Sequence, residues 1–94
     1  MIVEVLYFAE FKDITEKEKE KFEFSKDHLK DLIDLLIEKY GKKIQNLIWD
    51  EDAQKIHSLI STIINNQAIH EKNPSIVKLN DGDTIAFLMP VSGG

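Results

Sequence analysis

The chain contains no cysteine and no arginine. Without cysteine there is no disulfide, no thiolate metal ligand and no cysteine nucleophile, so any covalent chemistry must use another atom. Without arginine the planar fork that clamps phosphates and carboxylates in pairs is missing. That counts against a nucleotide site on this chain, and if ATP is used, another protein is expected to bind it. Glycine and proline are sparse, at four and two residues, which excludes a disordered or fibrous composition. No apolar run approaches the roughly 20 residues that span a bilayer, and the first residues lack the basic-then-apolar order of a secretory signal. The expected address is therefore cytoplasmic, with no membrane partner.

What remains is an ordinary globular balance, 43% apolar and 31% charged over 94 residues, enough for one cored domain and too little for two. Seventeen acidic residues against twelve lysines give a net charge of -5. The resulting field repels phosphate backbones, and no nucleic-acid partner is expected.

Ile2 to Phe8 is a β-branched and aromatic run that reads as a strand, with Val3, Val5 and Tyr7 on one face and Glu4, Leu6 and Phe8 on the other. Asp13 to Lys21 is charge-dense and reads as a solvated loop leading to a short strand over Lys21 to Phe24. Ser25 reads as an N-cap, with Asp27 in the first turn of a helix running to about Tyr40, where Gly41 stops it. Leu29, Leu32, Ile33, Leu36, Ile37 and Tyr40 recur at three- and four-residue spacing and mark the buried face of that helix.

The pattern from Lys42 to Lys55 is ambiguous: Ile44, Leu47 and Ile48 allow a short helical turn, and Trp49-Asp50-Glu51-Asp52 a strand end and turn. Ser58 to Ile64 reads as a long strand, Asn65-Asn66 as a hairpin turn and Gln67 to Ile69 as the return strand. Asn80-Asp81-Gly82-Asp83 is a turn before a last strand, Thr84 to Met89. An amphipathic helix with a mixed sheet gives a two-layer α+β fold in which the first and last strands could pair.

No catalytic constellation is present. His28, His57 and His70 lack metal-ligand spacing, and the Asp27/Asp31 and Asp34/Glu38 pairs have nothing to complete a ligand set, so no metal is expected. The tail differs. Ser92-Gly93-Gly94 follows Pro90-Val91 as a slender, flexible extension ending in a carboxylate that could enter a narrow channel. A carboxylate must be activated before it can transfer, for example by attacking the α-phosphate of ATP, after which a sulfur or amine nucleophile can displace the adenylate.

Val5-Leu6-Tyr7-Phe8-Ala9-Glu10, and the closing block from Leu79-Asn80-Asp81-Gly82-Asp83 through Thr84-Ile85-Ala86-Phe87-Leu88 to Gly93-Gly94, resemble the MoaD-like small subunits of molybdopterin synthase, which are ubiquitin-like sulfur carriers. Trp49-Asp50-Glu51-Asp52 and the segment Ile63 to Ile69 agree with the family's loop and hairpin, so the likeness covers nearly the whole chain. Leu88-Met89, and Asn66 in place of a turn glycine, depart from its usual pattern.

The resemblance implies a ubiquitin-like β-grasp domain over residues 1–90 and a Gly-Gly tail over 91–94. It also implies a cycle in which an E1-like enzyme uses ATP to adenylate Gly94 and sulfur transfer makes a thiocarboxylate. The tail then enters a large, MoaE-like synthase subunit within a heterotetramer and donates sulfur to a pterin precursor of the molybdenum or tungsten cofactor. On this reading the chain binds no cofactor itself and is not an enzyme alone. Phe8, Leu88 and Ile69 are expected to form an apolar docking patch beside the tail. Other readings are a ubiquitin-like modifier joined through Gly94 to lysines, a carrier for thiazole or tRNA thiolation, and a binding module with an inert tail.

Overall fold

The alternation of Val3 and Val5 with Glu4 and Leu6 becomes a five-residue strand whose odd positions are buried, as a half-covered sheet requires. The computed structural model describes residues 1–89. Its elements are β1 (Ile2–Leu6), α1 (Glu10–Thr15), β2 (Lys19–Glu23), α2 (Leu29–Tyr40), α3 (Lys42–Ile48), β3 (Trp49–Asp50), β4 (Lys55–Ile56), β5 (Ser61–Ile64), β6 (Gln67–Ile69), a 3-10 turn at Pro74–Ile76 and β7 (Thr84–Leu88). The main sheet has the order β2-β1-β7-β5-β6. β1 and β7 lie parallel at its centre, with Val5 opposite Ile85, and the other pairings are antiparallel.

Four residues of α2 (Leu29, Leu32, Ile33, Leu36) are fully buried in one cluster with Val3, Val5, Ile85 and Phe87 from the sheet. Each such side chain contributes roughly 1.5–3 kcal/mol by leaving water. The helix lies on one face of the mixed sheet, and the fold is the ubiquitin-like β-grasp that the resemblance implies. Among the described residues no helix is long and apolar enough to cross a membrane.

Three local expectations need correction. Asp13 to Lys21 is not a solvated loop: α1 covers its start and β2 its end. The signal was Phe11, Ile14 and Thr15 at helical spacing. Phe11 and Thr15 are buried, and the Thr15 hydroxyl donates to the Phe11 carbonyl at 2.9 Å. Glu16, in the left-handed region at φ 60°, ends the turn.

Ser25 does not cap α2. The helix starts later, after His28, whose amide donates to the Asp31 carboxylate at 3.1 Å, while Asp27 sits before the helix and accepts from the His28 ring at 2.9 Å. Nor does β5 begin at Ser58. The Ile60 amide donates to the His57 carbonyl at 2.9 Å, a turn that diverts the backbone until Ser61.

The hairpin between β5 and β6 forms at Asn65 and Asn66, with φ of 51° and 67°, the two positive values that a right-twisted two-residue hairpin demands. Asn65 also fixes the neighbouring turn. Its amide nitrogen donates to the buried Asp83 carboxylate at 2.8 Å, and its carbonyl oxygen accepts from the Thr84 backbone at 3.0 Å. The other Asp83 oxygen accepts from the Asn80 amide at 2.8 Å, and the Asp81 carboxylate accepts from Ile2 at 2.7 Å. The Asn80-to-Asp83 turn thus locks the entry of β7 to the start of β1.

Candidate functional site

Because α2 covers only one face of the sheet, the even residues of β1 and their neighbours face away from it. Register places Leu6 opposite Ala86, Ala86 opposite Ile63 and Ile63 opposite Ala68, an apolar row across four strands. Above this row a groove of about 200 Å³ is lined by Leu6, Phe8, Ile63, Ala86 and Leu88, with Asn66 and Thr84 at its polar end. Ala86 is buried as its floor. Phe8 is 49% exposed, a large aromatic that a self-contained core would not leave in water.

Phe8 also borders a second hollow of about 500 Å³, shared with Leu6, Ala9, Lys12, Glu18 and Lys19. The ring therefore stands as a ridge between two depressions. Its position depends on Ala9, held at φ 51° and ψ -125°, a region that normally belongs to glycine. Immediately beyond, Phe11 is buried with its ring 6.2 Å from that of Phe87. Strand β1 on one side and this anchor on the other hold the strained residue in place.

Phe8 and Leu88, expected together, do share the groove. Ile69 does not: it pairs with Thr62, a buried residue on the helix-side parity, and so belongs to the opposite face of the sheet. Register gives its place to Ile63, two residues before the hairpin, with Ala86 as the floor. Neither was singled out, because an apolar run such as Ser58 to Ile64 does not announce which parity faces the helix. Ser92, Gly93 and Gly94 lie outside the described residues.

Among the described residues, the most perturbed carboxylate lies elsewhere. Glu20 faces the helix side, opposite Val5, and its carboxylate accepts from the Tyr7 and Tyr40 hydroxyls at 2.7 and 2.6 Å and from Lys17 at 2.9 Å, with Lys39 as a fourth donor. Burial alone would raise its pKa, but hydrogen bonds from Lys39, Tyr40, Lys17 and Tyr7 outweigh it and hold the value at about 2. Both tyrosines are pushed up, by burial first and then by the adjoining carboxylate. Every partner is satisfied, so the cluster ties β2 to the end of α2 and shows no free acid or base. Among the described residues no group of three or more His, Asp or Glu is arranged to hold a metal ion. The outer groove is lined mainly by apolar side chains, with Asn66 and Thr84 as its polar groups.

A model of the ThiS family matches residues 5–94. Among solved structures, small archaeal modifier protein 1 from Methanosarcina acetivorans is similar at 25% identity and a TM-score of 0.76, over 99% of this chain and 96% of that one. A candidate molybdopterin converting factor subunit 1 from Pyrococcus furiosus follows at 23% and 0.69, covering 96% and 98%. Urm1 from Trypanosoma brucei matches at 22% and 0.75, covering 99% and 95%. No curated protein matches the chain.

Proposed function

The chain belongs to the ThiS family of ubiquitin-like sulfur carriers, and we propose that it serves as the small subunit of a molybdopterin synthase, with Gly94 as the residue that carries sulfur. An E1-like enzyme binds the outer sheet face and presents Gly94 to ATP. The Gly94 carboxylate attacks the α-phosphate, pyrophosphate leaves, and an acyl adenylate forms. A sulfur nucleophile supplied by the partner system then attacks the carbonyl and AMP leaves. The C-terminus is now a thiocarboxylate, one oxygen having been replaced by sulfur.

The same tail then enters the large, MoaE-like subunit, where the thiocarboxylate sulfur bonds to an electrophilic carbon of the pterin precursor as an oxygen leaving group departs. Water then cleaves the Gly94 acyl–sulfur bond, leaving sulfur on the pterin and returning the carboxylate. Gly93, without a Cβ, lets the chain pass through a narrow channel, and Ser92 is the small residue before it. The chain itself supplies the acyl group and the docking surface, and its partners supply the nucleotide site and the general bases.

One observation carries the docking half of this reading. The exposed groove between Phe8 and Leu88 lies at the end of β7, directly before the segment that ends in Gly93-Gly94. The pterin acceptor is supported by the sequence blocks around Phe8 and Asn80-Asp81-Gly82-Asp83. Intact-protein mass spectrometry after incubation with the E1-like enzyme, ATP and a sulfur source tests it. The expected result is a mass gain equal to one oxygen replaced by sulfur, absent when Gly94 is deleted, followed by sulfur transfer once the large subunit and pterin precursor are added.

The likeness to an archaeal modifier protein at 25% identity supports a second reading, in which a lysine amine displaces the adenylate and Gly94 ends in an isopeptide bond. Gly-Gly remnants on the lysines of cellular proteins, dependent on Gly94, would favour it.

A further inference from the structure

β2 is an end strand of the sheet, and the last turn of α2 reaches its start. Near the start of β2, Glu20 is bound by Lys39 and Tyr40 of the helix, and the Lys39 ammonium lies 5.8 Å from the centre of the Phe22 ring. The other end of β2 leads to Phe24, Ser25 and Lys26, which border one hollow with Asp31, Asp34, Leu35 and Glu38 of α2. That hollow is about 250 Å³, with Phe24 and Leu35 as its apolar floor. Asp31, Asp34 and Glu38 stand along its helix wall and Lys26 on the strand side.

The backbone beside this hollow has groups to offer. Met1 and Phe24 exchange hydrogen bonds, Tyr7 donates to Glu18, and pairing alternates between these ends of the ladder. Residues 18, 20, 22 and 24 therefore bond to β1, and the amides and carbonyls of Lys19, Lys21 and Glu23 point to the open side. A free strand edge next to a hollow that offers apolar side chains such as Phe24 and Leu35 is the geometry in which an extended segment adds as a further strand and seats a side chain.

Charge decides what kind of segment fits. Three carboxylates face one ammonium in the hollow. Asp34 is already paired with Lys30 at 2.6 Å, so the negative surplus is concentrated at Asp31 and Glu38. We propose that the β2–α2 groove docks an extended segment of a partner protein, an aliphatic run adding to the edge of β2 with one side chain on Phe24 and Leu35 and a lysine-rich end against Asp31, Asp34 and Glu38. The groove lies on the helix side of the sheet, so it is separate from the Phe8 and Leu88 face. Both faces can be occupied together.

The test is an NMR titration of the full-length, nitrogen-labelled chain with two synthetic peptides that share a valine and isoleucine centre, one ending in lysines and the other in glutamates. The lysine peptide should shift the amides of residues 19–26 and 31–38 and protect those of Lys19, Lys21 and Glu23 from exchange, and it should bind more tightly than the glutamate peptide. Replacing Asp34 and Glu38, both exposed, by lysine (D34K with E38K) should weaken the lysine peptide about fivefold to tenfold and reverse the preference. The proposal is overturned by equal binding of the two peptides, by no shift in either segment, or by shifts confined to the Phe8 face. An unchanged preference in the charge-reversed variant overturns it too, and the unmodified chain alone decides the first three outcomes.

Discussion

The Tyr7 and Tyr40 rings meet edge-on, 6.4 Å apart at 80°, and their hydroxyls donate to the same oxygen of Glu20. One carboxylate thereby joins β2, the end of α2 and the residue that follows β1. Edge-to-face contact and two charge-assisted hydrogen bonds act together here, in a place that the groove on the other face does not touch.

That carboxylate sets the acid limb of stability. Its pKa is lowered from an ordinary 4.5 to about 2 in the folded chain, so the native state binds fewer protons than the unfolded one in this range. The contribution is complete above about pH 4.5 and is lost as pH falls toward 2. The tyrosines, raised above their ordinary 10.0, act oppositely: their contribution is present below pH 10 and lost above it. Urea unfolding across pH should show a shallower acid limb in Glu20→Gln and, in Tyr7→Phe, a weaker loss above pH 10. At neutral pH Glu20→Gln should cost about 1–3 kcal/mol.

The two hairpin asparagines should respond differently. Asn65→Ala removes a donor from the buried Asp83 and an acceptor from Thr84, at a cost of about 1–3 kcal/mol. Asn66→Gly keeps the positive φ at no steric cost and should leave stability within about 0.5 kcal/mol or raise it slightly. Equal losses measured by thermal unfolding would show that backbone conformation alone governs the hairpin.

Phe8 and Phe11 separate docking from folding. Phe11→Ala empties a buried site against Phe87 and should cost about 3–5 kcal/mol. Phe8→Ala and Ile63→Asp alter the outer face. Their Tm should fall little, while the rate of Gly94 adenylation at limiting carrier falls by at least about tenfold, a loss of one well-seated anchor. A normal rate in both variants would place the docking face elsewhere.

Ala9→Gly should not weaken the domain. Relief of the disfavoured angles returns about 1–3 kcal/mol, more than the 0.5–1 kcal/mol or so that glycine adds to the entropy of the unfolded chain. A raised Tm is the expected outcome, and a clear fall would mean that the Ala9 methyl is needed for packing.

The sequence by itself determined the α+β class, the buried stripe of α2, the Gly41 stop, the Asn65-Asn66 turn and the pairing of the first strand with the last. Each rests on local spacing or backbone chemistry that a few neighbouring residues specify, and Phe8 and Leu88 were found by counting parity from residues already placed. Tertiary structure decided the rest. It turned Phe11, Ile14 and Thr15 into a helix because Phe11 had a core to enter, and it moved the cap of α2 to His28 because Asp31 was there to receive its amide. Which parity of β5 faces the helix is a matter of register with a strand more than twenty residues away. For that reason Ile63 rather than Ile69 lines the groove with Phe8 and Leu88, and only the assembled sheet could assign it.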